Sequence, residues 1–397
     1  MKIIHRTYRF ELNPTREQKV LLDRHFGCVR FVYNHFLSER REQYKATGKS
    51  DNYYAQAKTL TGLKKQEATA WLNGVNSQTL QFALRCVDTA YQNFFRGNAQ
   101  FPRFKSKKHS KNSFTVPQFT ELKDDRIFVP KFRDGIKCNV HREVKGIVGR
   151  MSFSRTPTGK YFVSILTEEQ YEPMAKTGQT CGIDLGLKDF AITSEGIRFE
   201  NNRYTRKYEK RLARAQKHLS RKLKGSRSFE RQKRKVAAVH MKVSNTRKDV
   251  LHKVSHRLVS ENDVIFLEDL NVKGMIRNRK LSKHIADAGW GTFVNFLEYK
   301  AAWNDRQTVK VNRFFPSSKT CHVCGYINHD LKLSERAWTC VCGHHLDRDE
   351  NAAKNILMEG LKILSSGTGD YTGGAQIRPD SQAQALNPEA HKSLACG

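Results

Sequence analysis

Between residues 313 and 358 the chain reads RFFPSSKTCHVCGYINHDLKLSERAWTCVCGHHLDRDENAAKNILM, and no other stretch restricts the fold as much. Cys321 and Cys324, then Cys340 and Cys342, are closely spaced pairs of the kind that build a tetrahedral thiolate site for Zn²⁺. Asp347, Asp349 and Glu350 follow and open a helix. An acid held at such a helix start is a candidate ligand for a harder, oxygen-preferring cation that does chemistry. Any fold must therefore set a small metal-stapled module directly before an acidic helix.

The rest of the chain says what such sites serve. Among 397 residues there are 71 Lys+Arg against 39 Asp+Glu, a formal charge of +32. This excess exceeds what an enzyme of small neutral substrates needs and points to a polyanion. A membrane surface is the other polyanion, but there is no apolar run near 18 residues, and MKIIHRTYRF is not a signal peptide. Beyond the cluster, Cys28, Cys86, Cys138, Cys181 and Cys396 are scattered. A secreted disulfide framework would be shorter and evenly stapled, so a reducing cell interior is expected. Length allows two or three domains.

Residues 2–12 alternate apolar and polar positions and predict a strand. Pro14-Thr15 predicts the start of a helix to about Tyr44, with Val20, Leu21, Phe26, Val29, Val32 and Phe36 near helical spacing. A second helix is expected over about 78–96, then a basic, aromatic-studded loop over 97–116 and strand-like pieces with a hairpin at Thr158-Gly159. Residues 179–199 read as three short strands, the first ending at Asp184. Residues 203–259 predict two long helices broken at Gly225-Ser226. Within 203–257 stand 20 Lys/Arg and 3 acids, without the i,i+4 Glu partners of a merely solvated face, so phosphate contact is the favoured reading. DVIFLEDLNV is an apolar strand ending at Glu268-Asp269. A helix near 292–303, a strand over 309–315 and a last helix over about 350–364 complete the order. Residues 365–397, poor in large apolar side chains, are expected to be a disordered tail.

Three strands, helices, a strand, a helix, a strand and an acidic helix is the layout of an RNase H-like fold. Asp184, Glu268 and Asp349 fall at the end of its first strand, the end of its fourth and the start of its final helix. Singly each has a plain alternative, such as a strand cap, an ion pair or a helix-dipole acid. Together they suit phosphodiester hydrolysis, in which charge grows on attacking and leaving oxygens and two divalent ions about 3.5–4 Å apart stabilise both. Mg²⁺ suits such an all-oxygen shell.

The segments YRFELNPTREQKVLLDRHFGCVRFVYN (8–34), AYQNFFRGNAQFPRFKSKKHSKNSFT (90–115), GIDLGLKDFA (182–191), FLEDLNVKGM (266–275), RFFPSSKTCHVCG (313–325) and LDRDENAAKNIL (346–357) resemble, in order, the TnpB family. These are RNA-guided nucleases of insertion sequences, ancestral to type V CRISPR effectors. The resemblance implies an α+β multidomain chain. A wedge-like β-barrel (1–12 and 99–172) carries a helical recognition insertion (13–98). A RuvC nuclease domain (173–318 and 345–364) carries the basic hairpin and a zinc ribbon (319–344). It matches Asp184, Glu268 and Asp349 to the RuvC carboxylates that hold catalytic Mg²⁺, and the cysteines to a structural Zn²⁺. The family's second knuckle is usually C-x-x-C, whereas here it is Cys340-Val341-Cys342. Either Cys342 completes a distorted site, or His344 or His345 replaces it.

Function follows as expectation. A guide RNA from the transposon end would lie along Lys105, Lys107 and Lys108 and along Lys207, Arg211, Arg214, Arg221, Lys222 and Arg227. Target double-stranded DNA would be matched by base pairing, next to a short motif read by protein. Gln78, Gln81, Asn112 and Thr115 are candidate readers, Asn and Gln suiting adenine. The RuvC site would cut the two strands in turn. The resemblance also implies a monomer with one RNA, in the cytoplasm of a bacterial or archaeal cell, nucleoid-associated and away from membranes. The alternatives are a DDE-like transposase needing no guide, a guide-dependent repressor that binds without cutting, and a compact CRISPR effector.

Overall fold

The computed structural model describes residues 1–108, 110–332 and 334–367, and these divide into two units, residues 3–170 and residues 1–2 with 171–367. The first opens with β1 (Lys2–Leu12) and α1 (Arg16–Thr47). It continues with α2 (Tyr53–Leu63), a 3₁₀ helix (Glu67–Gly74) and α3 (Ser77–Phe95). Six strands follow: β2 (Asn112–Val116), β3 (Glu121–Lys123), β4 (Arg126–Val129), β5 (Phe132–Asn139), β6 (Ile147–Arg155) and β7 (Tyr161–Tyr171). Thr15 and Gln18 cap α1 reciprocally, and Gly48 ends it at φ 68. Its buried stripe runs Leu22, Phe26, Val29, Val32, Phe36, while Val20, expected inside, is 58 % exposed. The helix α2, capped by Asn52, was not expected from the sequence.

The seven strands form one sheet in the order β2-β6-β7-β1-β5-β4-β3. It has two ends, so the expected closed barrel is not what forms. The reason lies in the core. Tyr8, Phe10 and Leu12 of β1 and Phe114, Phe153 and Val163 share one cluster with Phe26, Phe36, Leu80 and Leu84 of the helices. Helices α1 and α3 pack against β2, so apolar faces are buried sheet against helix and not strand against strand around a closed interior. At the other end β3 and β4 pair over only three residues.

The second unit follows the predicted layout. It contains β8 (Thr180–Asp184), β9 (Asp189–Thr193), β10 (Arg198–Glu200), α4 (Tyr204–Ser220), α5 (Arg227–Glu261), β11 (Val264–Glu268), α6 (Val272–Met275), α7 (Ser282–Ala288), α8 (Trp290–Trp303), β12 (Gln307–Val311), β13 (Ala337–Thr339), β14 (His345–Asp347) and α9 (Arg348–Ser366). Five strands lie in the order β10-β9-β8-β11-β12, with β8, β11 and β12 parallel and β9 and β10 antiparallel. The basic helices break at Gly225, φ +87, and Ser226 caps α5. Buried Asp287 fixes their base, accepting from Thr205 N at 2.9 Å and Arg247 Nη2 at 2.7 Å. Helix α9 crosses the sheet closely: a Cβ on Gly182 would overlap the Ala353 carbonyl, and one on Gly360 the Phe266 ring. The helix runs to Ser366, so the expected tail does not begin at 365. Its remainder from 368 lies outside the described residues.

Candidate active site and metal centre

Strands β8 and β11 run parallel with Ile183 opposite Leu267, so Asp184 and Glu268 end neighbouring strands on the same edge. Helix α9, lying over β8, brings Asp349 of its first turn to them. Burial first, then the charges of Glu268 and Asp349, push the Asp184 carboxyl up to about 7, against the opposing charge of Arg348. Burial also raises Glu268, opposed by a 2.6 Å hydrogen bond from Ser317 Oγ. A half-buried set of mutually repelling carboxylates is a donor set that a divalent cation fits.

Neighbouring acids are otherwise engaged. Asp347 caps α9, accepting from the amides of Asp349 at 3.1 Å and Glu350 at 3.0 Å, and pairs with Arg198 at 3.0 Å. That separates the two aspartates of DRD: Asp347 holds the helix start and Asp349 faces the cluster. Glu350 pairs with Lys354 at 2.9 Å, and Asp269 with Arg313. Arg336 Nη1 lies 3.8 Å from Asp349 Oδ2. Among the described residues no ion pair reaches Asp184 or Glu268.

The four cysteine sulfurs lie within 4.8 Å of one another, with Cys321–Cys342 at 3.8 Å and Cys324–Cys340 at 3.5 Å. A Zn–S bond of about 2.3 Å sets tetrahedral edges of about 3.8 Å, so the set fits zinc without a histidine. The C-x-C pair succeeds because the chain turns at Gly343, φ +85, with Gly343 N bonded to Cys340 O at 2.8 Å. His344 Nδ1 is 3.4 Å from Cys342 Sγ, and its backbone amide helps hold that thiol down to about 6. His345 turns to Thr339 at 3.1 Å.

The two clusters are tied together by residues that sequence reasoning missed. Asn351 and Asn355, 1 % and 4 % exposed, point from α9 into the segment 317–322. Asn351 donates to Thr320 O at 2.7 Å and accepts from His322 N at 3.0 Å. Asn355 donates to Ser317 O at 2.8 Å, and Ser317 holds Glu268. The available signal was two asparagines four residues apart in an otherwise good helix, where they disfavour helix unless their amides find partners.

Of the candidate nucleic-acid residues, Lys107, Lys108, Lys207, Arg211, Arg214, Arg221, Lys222 and Arg227 are exposed. Lys105 is not, its ammonium sitting 3.9 Å from the Tyr33 ring centre. Gln81 is exposed, and Gln78 and Asn112 are half-buried. Thr115 is 5 % exposed, its hydroxyl 2.8 Å from Ser152 Oγ inside the sheet.

Three family models match: "Probable transposase" (OrfB_IS605) over residues 162–279, "Cas12f1-like, TNB domain" over 290–356 and "Helix-turn-helix domain" over 1–49. The last span is here a strand and one 32-residue helix. The chain is 39 % identical to a Streptomyces pristinaespiralis protein named "Putative RNA-guided DNA endonuclease", covering 96 % of this chain and 94 % of that one. It is 34 % identical to "Putative RNA-guided DNA endonuclease InsQ" of Escherichia coli K12, over 91 % and 93 %. A solved structure titled "Cryo-EM structure of the Cas12f1-sgRNA-target DNA complex" shares the fold, with TM-score 0.54, 14 % identity and coverage of 86 % and 83 %.

Proposed function

The chain belongs to the TnpB family of insertion-sequence proteins, and from that membership we propose that it is an RNA-guided DNA endonuclease that cuts double-stranded DNA beside a short motif. The observation that supports this most is the convergence of Asp184, Glu268 and Asp349 from two parallel strand ends and a helix start, with Asp184 driven up to about 7 by burial first and then by the charges of the other two. These three would hold Mg²⁺, and the four cysteines a structural Zn²⁺. Bound there, Mg²⁺ supplies Lewis acidity and an activated water for phosphodiester hydrolysis.

The chain's own residues prepare that site. Ser317 fixes the rotamer of Glu268, and Asn355 fixes Ser317. Asp347 holds the turn that presents Asp349. Arg336, 3.8 Å from Asp349, is a guanidinium that would offer charge-assisted hydrogen bonds to a scissile phosphate at this edge. The cationic faces of α4 and α5 offer phosphate contacts to the guide RNA, while base pairing selects the target. Of the candidate readers of the target-adjacent motif, Gln81 on α3 is the exposed one. The chain works as a monomer with one RNA inside a bacterial or archaeal cell. No described helix is long and apolar enough to cross a membrane.

The deciding experiment purifies the protein with its RNA, sequences that RNA and supplies a matching duplex. Cleavage with Mg²⁺ and none with EDTA is expected. Equal cleavage after the RNA is removed would instead favour a DDE-like transposase, and guided binding without cleavage a repressor.

A further inference from the structure

The unit spanning residues 3–170 carries a surface of exposed rings that neither its core nor the nuclease site uses. Phe95 at the end of α3 is 78 % exposed, and Phe101 and Phe104 in the following loop are 43 % and 50 % exposed. The two loop rings line a groove of about 390 Å³ with Arg41, Gln100, Pro102 and Arg103. Phe101 stands edge-on to Phe94 at 5.3 Å and to Tyr91 at 5.8 Å, so this ring is braced from behind while part of it stays exposed. Arg41 lies 5.6 Å from the Phe101 ring centre and 5.2 Å from that of Phe104.

Its neighbour shows what is unusual about Arg41. Arg40 is buried and bound to Asp88 at 3.1 Å and to Gln56 at 2.9 Å, a core arginine with its charge answered. Among the described residues neither Arg41 nor Arg103 pairs with a carboxylate, and no carboxylate lines the groove. Exposed aromatic rings beside guanidinium groups that meet no carboxylate, Arg103 bonding only the neutral Gln100 at 2.7 Å, are complementary to a base and its phosphate. Stacking accepts any base, and arginine supplies the backbone contact. An apolar protein segment would leave both charges unpaired, which argues against it.

We propose that this groove is a stacking site for an unpaired nucleotide of the guide RNA, the base on Phe101 and Phe104 and a flanking phosphate on Arg41 and Arg103. The inference rests on the RNA-guided reading and adds to it a sequence-tolerant anchor on the unit that bears none of the three carboxylates. RNA is the occupant because the stacking rings need an unpaired base: a duplex target offers none until the guide has opened it, and a guide must be held before any target arrives.

The test uses full-length protein, stripped of RNA and titrated with the RNA it copurifies with. Phe101→Leu/Phe104→Leu keeps apolar bulk and removes the rings, and is expected to weaken RNA binding about tenfold. The salt dependence of that variant should match wild type. Phe101→Tyr/Phe104→Tyr restores stacking and should bind within about twofold of wild type. Arg41→Gln and Arg103→Gln should instead each flatten the slope of log K against log salt by about 0.7. Should the leucine variant fail to fold, 4-thiouridine crosslinking of the wild-type complex decides, with peptides from 95–108 expected to carry the label. Full RNA affinity in a folded leucine variant, or no crosslink in that segment, overturns the groove alone. Weakened target-DNA binding with intact RNA affinity also overturns it, in favour of a DNA strand. Absence of any bound RNA from wild-type protein overturns the function proposed above together with the groove.

Discussion

The cysteine cluster gathers its four sulfurs from 22 residues and two turns, whereas the carboxylate cluster gathers three members from 166 residues, two parallel strands and the last helix. The first satisfies itself, because four thiolates exhaust a tetrahedral ion and nothing is left for a substrate. In the second, like charges are forced together by burial and three carboxylates leave coordination sites open. A closed set fits structure and an open, strained set fits chemistry. The same short segment, 317–322, borders both, so the two should be separable by experiment but not independent.

The sharpest way to break the comparison is Asp184→Ala. Cleavage in single-turnover assays should fall by about 10⁴-fold or more, with RNA-guided DNA binding largely intact. A loss of binding on that scale would mean Asp184 supports the fold instead. Next comes Cys340→Ser, for which elemental analysis should show zinc falling from near one equivalent to near zero, with a lower melting temperature, since structural zinc contributes folding energy directly. Normal zinc content and melting in that variant would remove the thiolate site from the account. Ser317→Ala probes the bridge. Cleavage should drop about 10- to 100-fold with more Mg²⁺ needed for half-maximal rate, zinc unchanged, and Ser317→Thr restoring most of the rate. If zinc leaves as well, the segment is a strut and not a positioning device. The smallest effect is expected from His344→Ala, which should retain near one zinc and cut within about threefold of wild type, in keeping with a partner one bond outside the metal. Zinc loss there would restore His344 to the ligand set.

How far the sequence could be read followed from the range of the interactions. The cysteines were legible because their geometry is fixed by local spacing, and even the short C-x-C pair needed only the turn at Gly343. Asp184, Glu268 and Asp349 were legible only jointly, through their order along an RNase H-like layout. Choosing Asp349 over Asp347 rested on the adjacent helix, and in the structure Asp347 is engaged in capping that helix. Ser317, Asn351 and Asn355 were not read, since a side chain that bonds a distant carbonyl leaves no periodicity behind. The barrel came from the family resemblance, and the strand pattern could not correct it, because alternation does not say what covers a face, and here α1 and α3 do. The same omission misplaced Thr115: β2 is buried at Phe114, Thr115 and Val116 alike, so a polar residue there is no sign of a surface.

Helix α9 has one more consequence, for the timing of synthesis. Asp349 leaves the ribosome 165 residues after Asp184, about 10–30 s later at ordinary elongation rates. Until then β8 has no helix to lie beneath Gly182 and no third acid at its edge. A nascent chain, or one stopped early by a damaged message, would keep its basic helices and the RNA surface proposed for them but lack the third carboxylate of the proposed cutting site. An insertion sequence whose open reading frame decays from its 3′ end would therefore lose the blade before the grip.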